Sequence, residues 1–307
     1  MSVDIASPIP VSNCIISDTG GPLSHAAVWS AHLMEDCTLC PRACHVNRLQ
    51  GQTGYCGQTA DIMAARASLH YWEEPCISGT SGSGTVFFSG CNLRCVFCQN
   101  HNIAIGKAGR IITPEHLTEI YLQLQEQGAN NINLVTPTHF LSQIVLSLEA
   151  ARKQGLHIPV VYNTGSYESP DALRHLEGLV DIYLPDLKYF SAELSAAYSH
   201  APDYFETACA AIAEMYRLAG DPVIDPATGL MQRGVIVRHL ILPGHTKDSK
   251  KILRYLHETY GNHIYISIMN QYTPLPQTAD IKELNRTVTS EEYDRVLRFA
   301  ERIGIEQ

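Results

Sequence analysis

At about 150 residues per domain, 307 residues leave room for one large domain or two ordinary ones. Apolar residues make up 45% and charged residues 17%, which excludes a disordered chain. The 22 basic and 31 acidic residues leave a net charge of −9. That balance argues against a general nucleic-acid binder, which needs a basic face to displace counterions. Positions 1–20 carry no Lys or Arg and no long apolar run, which predicts an untargeted, cytoplasmic chain. No stretch approaches the roughly 20 apolar residues of a membrane helix, so no membrane partner is expected. The most informative count is ten cysteines. In a reducing cytosol they read as metal-binding or catalytic rather than paired.

In chain order, residues 1–23 read as a loosely packed tail and 23–34 as a short helix. Residues 37–57 show little periodicity and several glycines, which suits a loop folded around a metal. Residues 61–74 form a connector that admits strand or helical turns, and the Gly/Ser run 78–84 a loop. A strand–helix rhythm follows. Strands are expected at 85–89, 132–135, 159–162, 181–184, 234–241 and 263–268. Helices are expected at 114–127, 140–154, 170–179, 204–218, 247–260 and 290–303. Thr113 and Ser169 are read as N-caps, and Gly155 and Gly220 as helix stops. Pro114 suits a first helical position. Residues 221–233, with two prolines and a glycine, read as an inserted loop.

The strands are short and apolar on both faces, as parallel strands covered by helices should be. Strict alternation gives a doubly wound sheet or a barrel. No GxGxxG follows a strand, and six units are fewer than the eight of a closed barrel. The fold class this supports is α/β. Residues 79–307 would form a partial (βα)6 TIM-like barrel, and residues 1–78 a cysteine-rich extension.

Two cysteine groups carry the chemistry. Cys91, Cys95 and Cys98 form a C-x3-C-x2-C loop at the end of the first expected parallel strand. Three soft thiolates in one loop suit an iron–sulfur cluster, and three ligands leave one iron of a four-iron cubane open. Cys37, Cys40, Cys44 and Cys56 give four thiolates in twenty residues. Four sulfurs satisfy either tetrahedral zinc or a second, fully ligated cluster. Cys76 is near enough in sequence to substitute as a ligand. Cys14, Cys76 and Cys209 otherwise read as core filler. Arg42, Arg48, Arg66, Arg94, Lys107 and Arg110 concentrate positive charge near the cysteines.

With GCNLRCVFCQN at 90–100 and CTLCPRAC at 37–44, the chain resembles the radical S-adenosylmethionine (SAM) superfamily. Within it, the chain is similar to relatives of pyruvate formate-lyase activating enzyme that carry an N-terminal CxLCPRxC motif. The resemblance extends over residues 37–274. It implies that SAM binds the open iron and that one electron cleaves its sulfonium C–S bond. The resulting 5′-deoxyadenosyl radical abstracts hydrogen from a substrate. The implied SAM contacts are Phe97 near the adenine and Asn163, Ser166, Asp186, Lys188 and Arg238 at strand ends. One stretch departs from the family pattern. Activating enzymes carry Gly-Gly-Glu after the second strand, where this chain has Val135-Thr-Pro-Thr-His139. Thr136 and Thr138 can offer hydroxyls there, and His139 a proton donor, a substrate contact or a structural hydrogen bond.

The resemblance implies a reducing partner such as flavodoxin or ferredoxin. The substrate it implies is a glycine in a partner enzyme, a peptide or a small metabolite. No single residue is assigned to the catalytic step. The rival class is an iron–sulfur carrier or redox sensor without SAM chemistry. An RNA-modifying enzyme is disfavoured by the acidic balance.

Overall fold

The computed structural model describes residues 32–306. The expected N-terminal tail, Cys14 and most of the expected helix at 23–34 lie outside these residues. Among the described residues the strands are β1 (Ile62–His70), β2 (Ser83–Phe88), β3 (Arg110–Ile112), β4 (Ile132–Val135), β5 (Val160–Thr164), β6 (Ile182–Pro185), β7 (Val223–Ile224), β8 (Met231–Leu240) and β9 (Tyr265–Met269). The helices lying wholly within the described residues are α1 (Pro75–Ser78), α2 (His101–Ala104), α3 (Pro114–Glu126), α4 (Leu141–Lys153), α5 (Pro170–Leu173), α6 (Ala192–Ser199), α7 (Tyr204–Ala219), α8 (Thr246–Tyr260) and α9 (Ser290–Ile303). None of the described helices is long and apolar enough to cross a membrane.

Strands β2, β4, β5, β6, β8 and β9 are parallel and adjacent in chain order. A doubly wound sheet reverses its order at a switch point. This one does not, so the six units form a sector of a barrel. The far edge of β2 pairs with β1, antiparallel, so the first and last parallel strands do not meet. The expected partial barrel is what the sequence folds into.

Period-2 alternation sorts the strand residues between two faces. On one face Leu134, Tyr162, Tyr183 and Val235 join a core with helix residues such as Leu117, Ile144, Leu148 and Met215. On the inner face Val161, Ile182, Leu184 and Ile236 form a smaller cluster with Ile77 of α1. The ends of β1 and β2 explain how Ile77 gets there. His70 pairs with Ser83, so β1 delivers residues 71–79 to the N-terminal end of the barrel. Asn131 Nδ2 donates to Ile77 O at 2.7 Å and Asn130 Nδ2 to Ser78 O at 2.6 Å, which anchors this plug. The lumen is thus filled from below.

The helix ends follow their capping residues. Thr113 and Thr289 accept from the amides of His116 and Glu292, and Thr289 with Glu292 completes a capping box. Of the two readings of the 61–74 connector the strand is the one found: β1 pairs with β2 over six positions, so the sheet extends to the N-terminal side of residue 78. Other expectations need correction. Ser169 makes no capping bond, and the helix expected at 170–179 ends at Leu173, tightening to a 3-10 turn at Arg174–Leu176. The loop at 221–233 is a short hairpin in which Val223 pairs with Arg233. Helix α6 was not anticipated. Ser191 caps it by accepting from Leu194 N, and His200 closes it at φ 54°.

Candidate functional site

The cysteine loop begins where β2 ends. Gly90 has φ 91°, and a Cβ there would lie 2.6 Å from Gln58 Cγ and 2.8 Å from Cys56 O. Only glycine permits that turn against the N-terminal segment. The chain then wraps Cys91. Leu93 N and Arg94 N point at Cys91 Sγ from 3.4 and 3.5 Å, with Arg94 at φ 51°. Ser199 Oγ donates to Cys95 Sγ at 2.9 Å and is itself 2.6 Å from Tyr189 Oη. Val96 N donates to Tyr198 O at 2.9 Å, so α6 holds the loop from the other side.

Burial raises the Cys95 thiol, opposed by the Lys188 charge. Burial and then the neighbouring Cys95 and Cys91 push Cys98 up to about 12. Thiols so reluctant to ionise become thiolates only when a cationic centre binds them.

The strand ends beside this loop carry a buried ionic network. Arg238 of β8 donates from Nε to Asp186 Oδ1 at 2.9 Å and from Nη2 to Asn163 Oδ1 at 2.7 Å. Its Nη1 donates to Glu73 Oε2 at 3.2 Å. Lys188 Nζ donates to Asp186 Oδ2 at 2.5 Å. Burial would raise the Asp186 carboxyl, but the Arg238 and Lys188 charges outweigh it and hold it below the usual range. Four of the expected site residues, Asn163, Asp186, Lys188 and Arg238, are therefore one cluster. Ser166 stands near Asn163 in the chain, fully buried at φ 65°, with a hydroxyl that has no partner. Strained residues and unsatisfied buried polar groups cluster at functional sites. Thr136 is half-buried at the end of β4. Phe97 is buried and edge-on to Tyr189 and Tyr272, with ring centroids 6.3 and 6.2 Å away.

Sequence reasoning missed Glu73, Glu74 and Glu168. Glu73 and Glu74 rise in the plug from below, and Ser267 Oγ donates to Glu74 Oε2 at 3.1 Å. Their only sequence signal is a pair of acids before a proline. Glu168 is fully buried and takes hydroxyl hydrogen bonds from Thr138 at 2.5 Å and from Thr164. Its other oxygen has no partner, and burial pushes its pKa up to about 7. Thr138 is thus committed to Glu168.

The N-terminal quartet forms a second site. Cys37, Cys40, Cys44 and Cys56 line one small cavity with Arg48 and His139. Ala43 and His45 take φ 39° and 54° to turn the chain on either side of Cys44. Tyr55 N donates to Cys44 Sγ at 3.3 Å. Burial pushes Cys40 up to about 12 and raises Cys56 against the charge of Arg48. Cys76 does not line the cavity. It packs against the inner-face cluster of the barrel, and so cannot stand in as a ligand. The nine cysteines among the described residues are free thiols.

The two cysteine groups are in direct contact. Arg42 Nε donates to Asn92 O at 2.9 Å and its Nη1 to His200 O at 2.6 Å. Its guanidinium lies 4.0 Å from the centre of the Tyr55 ring. Tyr55 Oη donates to Leu93 O at 3.3 Å. Arg48, at 1% exposure, donates to Thr59 O and to His139 O. Both arginines are held by backbone carbonyls and stacked on rings rather than paired with carboxylates.

The model of the radical SAM superfamily matches residues 85–256. The chain belongs to the radical SAM superfamily. Uncharacterized protein MJ0674 of Methanocaldococcus jannaschii is 28% identical over 285 residues, covering 90% of this chain and 77% of its own. Streptococcus suis SuiB bound to S-adenosylmethionine superposes with a TM-score of 0.47 at 12% identity, over 69% of this chain and 44% of its own. The FeFe-hydrogenase maturase HydG from Carboxydothermus hydrogenoformans gives 0.47 at 13% identity, over 69% and 48%. The chain thus spans less than half the length of either solved chain.

Radical SAM membership supports an enzyme and implies an iron–sulfur cluster and SAM. The residues fit such a cluster. Cys91 and Cys95 already receive hydrogen bonds at sulfur, a means of tuning cluster potential. Among the described residues no three His, Cys, Asp or Glu side chains converge on a single-ion position. Thiolates around one tetrahedral ion stand about 3.8 Å apart at metal–sulfur lengths of about 2.3 Å. A four-iron cluster lies between its ligands and holds them wider.

Proposed function

We propose that Cys91, Cys95 and Cys98 hold a [4Fe–4S] cluster with one open iron, and that the chain abstracts hydrogen from a polypeptide. In this reading it is an activating-enzyme-like oxidoreductase whose leading target is a glycine of a partner enzyme. Cluster and SAM together supply the 5′-deoxyadenosyl radical. The observation that carries the reading is the placement of the three cysteines beside a buried polar network at the strand ends. Arg238 and Lys188 are the cations for the SAM carboxylate, and Asp186 the acceptor for its ammonium group. Asn163, Ser166 and Thr136 serve the ribose and methionine ends, and Phe97 walls the adenine. The plug around Ile77 keeps water out from below, which protects a radical.

A polypeptide is favoured over a small metabolite by the barrel rim. Cys98 opens onto a groove lined by Gln99, Asn100, His101, Asn102 and Gln277. Amide side chains both donate and accept, which suits peptide backbone. Modification of a free peptide or a metabolite is the second reading. The electron would come from a flavodoxin- or ferredoxin-like donor in the cytoplasm. The N-terminal quartet would hold zinc or a second iron–sulfur cluster. Functionally, residues 1–78 would serve as a metal-bearing extension and residues 79–307 as the catalytic barrel.

The test is anaerobic reconstitution, reduction with dithionite and addition of SAM. The expected product is 5′-deoxyadenosine, absent after Cys91→Ala, Cys95→Ala or Cys98→Ala. A reconstituted chain that binds iron yet leaves SAM intact would identify a carrier or sensor instead.

A further inference from the structure

The four-cysteine cavity has a fifth donor on its wall. His139 is 2% exposed and borders the cavity together with Cys37, Cys40, Cys44 and Cys56. Its Nε2 lies 2.7 Å from Ser89 O. A carbonyl oxygen only accepts, so Nε2 carries the proton and Nδ1 keeps a bare lone pair. That Nδ1 is buried and has no hydrogen-bond partner. The ring cannot easily turn away. Arg48 Nη1 donates to His139 O at 2.7 Å, and the ring packs 4.4 Å from Phe140.

A metal-ligating imidazole has this arrangement. One nitrogen donates to a carbonyl, which sets the tautomer, and the other binds the metal. We propose that His139 Nδ1 is a ligand of an iron–sulfur cluster at the N-terminal site, in place of one of the four cysteine thiolates. The proposal rests on the reading that the quartet binds metal. Its ligand class is an iron–sulfur cluster, because no three His, Cys, Asp or Glu side chains among the described residues converge on a single-ion position, and such a cluster accepts thiolate and imidazole together. Ser89 precedes Cys91 by two residues, so His139 also ties this centre to the neighbouring cluster loop.

The test uses the full chain with Cys91, Cys95 and Cys98 replaced by Ala, prepared without oxygen. Metal analysis should find iron, with zinc in its place overturning the cluster assignment, and X-ray absorption at the iron edge reads its ligands. The expected shell contains nitrogen at about 2.1 Å beside sulfur at about 2.3 Å. His139→Gln should remove the nitrogen. Gln keeps an N–H for Ser89 O, so a role limited to that hydrogen bond would survive the substitution. A spectrum unchanged by His139→Gln, with metal still bound, overturns the ligand role and leaves the quartet reading intact. A folded triple variant with no bound metal overturns both. If the triple variant does not fold, His139→Gln in the otherwise native chain is compared with the native chain at the same edge. The nitrogen must again disappear for the proposal to stand.

Discussion

At the residue scale, Glu168 and Arg238 show how burial makes a polar group sensitive. Glu168 has an unfolded pKa of about 4.3 and a folded one raised to about 7 by burial, against the hydroxyls of Thr138 and Thr164. Between those values the folded chain keeps the proton and the unfolded chain has lost it. Stability contributed by this group is therefore present below the lower value and falls as pH rises toward the upper one. The expected slope is about 1.4 kcal/mol per pH unit at its steepest, levelling above pH 7. Anaerobic thermal unfolding from pH 5 to 8 measures it, and Glu168→Gln should flatten the curve. Arg238→Met should cost about 3 kcal/mol, because it leaves Glu73 buried without its cation and Asp186 with Lys188 alone. Arg238→Lys keeps the charge but not three simultaneous contacts, so it should fold better and still bind SAM weakly. Equilibrium binding of SAM to the two variants checks this.

At the element scale, the cysteine loops depend on backbone as much as on sulfur. A Cβ at Gly54 would lie 2.7 Å from Cys44 Sγ and 2.8 Å from Cys44 Cβ. Gly54→Ala should displace that sulfur and deplete metal from the N-terminal site while the Cys91–Cys98 cluster stays loaded. Iron and zinc analysis of the variant tests this. A loss of all metal would mean that the two sites load as one. Much of the element pattern was legible beforehand. The strand Ile132–Val135 and the helix Ser290–Ile303 coincide with expectation, because apolar periodicity and caps are local signals. Helix α6 was missed, although Ser191 and an alanine-rich run announce it. The sequence leaves the 61–74 segment between strand and helical turns because β1 pairs antiparallel with β2 and β3, outside the βα rhythm.

At the scale of the whole molecule, the N-terminal module and the barrel behave as one body. Met34, Cys37 and Leu39 share the main core with the strands and helices. Arg42 joins the quartet loop to Asn92, Ser199 and His200. Arg42→Ala should therefore loosen two elements at once. Hydrogen exchange should quicken in residues 37–57 and in the 91–98 loop together. Faster exchange in the first segment alone would show that the modules are independent.

The sequence by itself determined the family and the six-unit barrel, and its spacing set apart the Cys91–Cys98 trio and the Cys37–Cys56 quartet. Each is written in spacing or periodicity, which is a local property. It also picked out Asn163, Asp186, Lys188 and Arg238, because polar residues ending apolar strands stand out. Only the tertiary structure decided that these four form one ionic cluster, and that Glu73 enters it from below through the plug. It alone placed Cys76 at the plug, away from the quartet, and set His139 against four thiols with a bare nitrogen. Such facts depend on which strand ends meet and which carbonyl an imidazole faces. Those are contacts between segments far apart in the chain, and no local pattern encodes them.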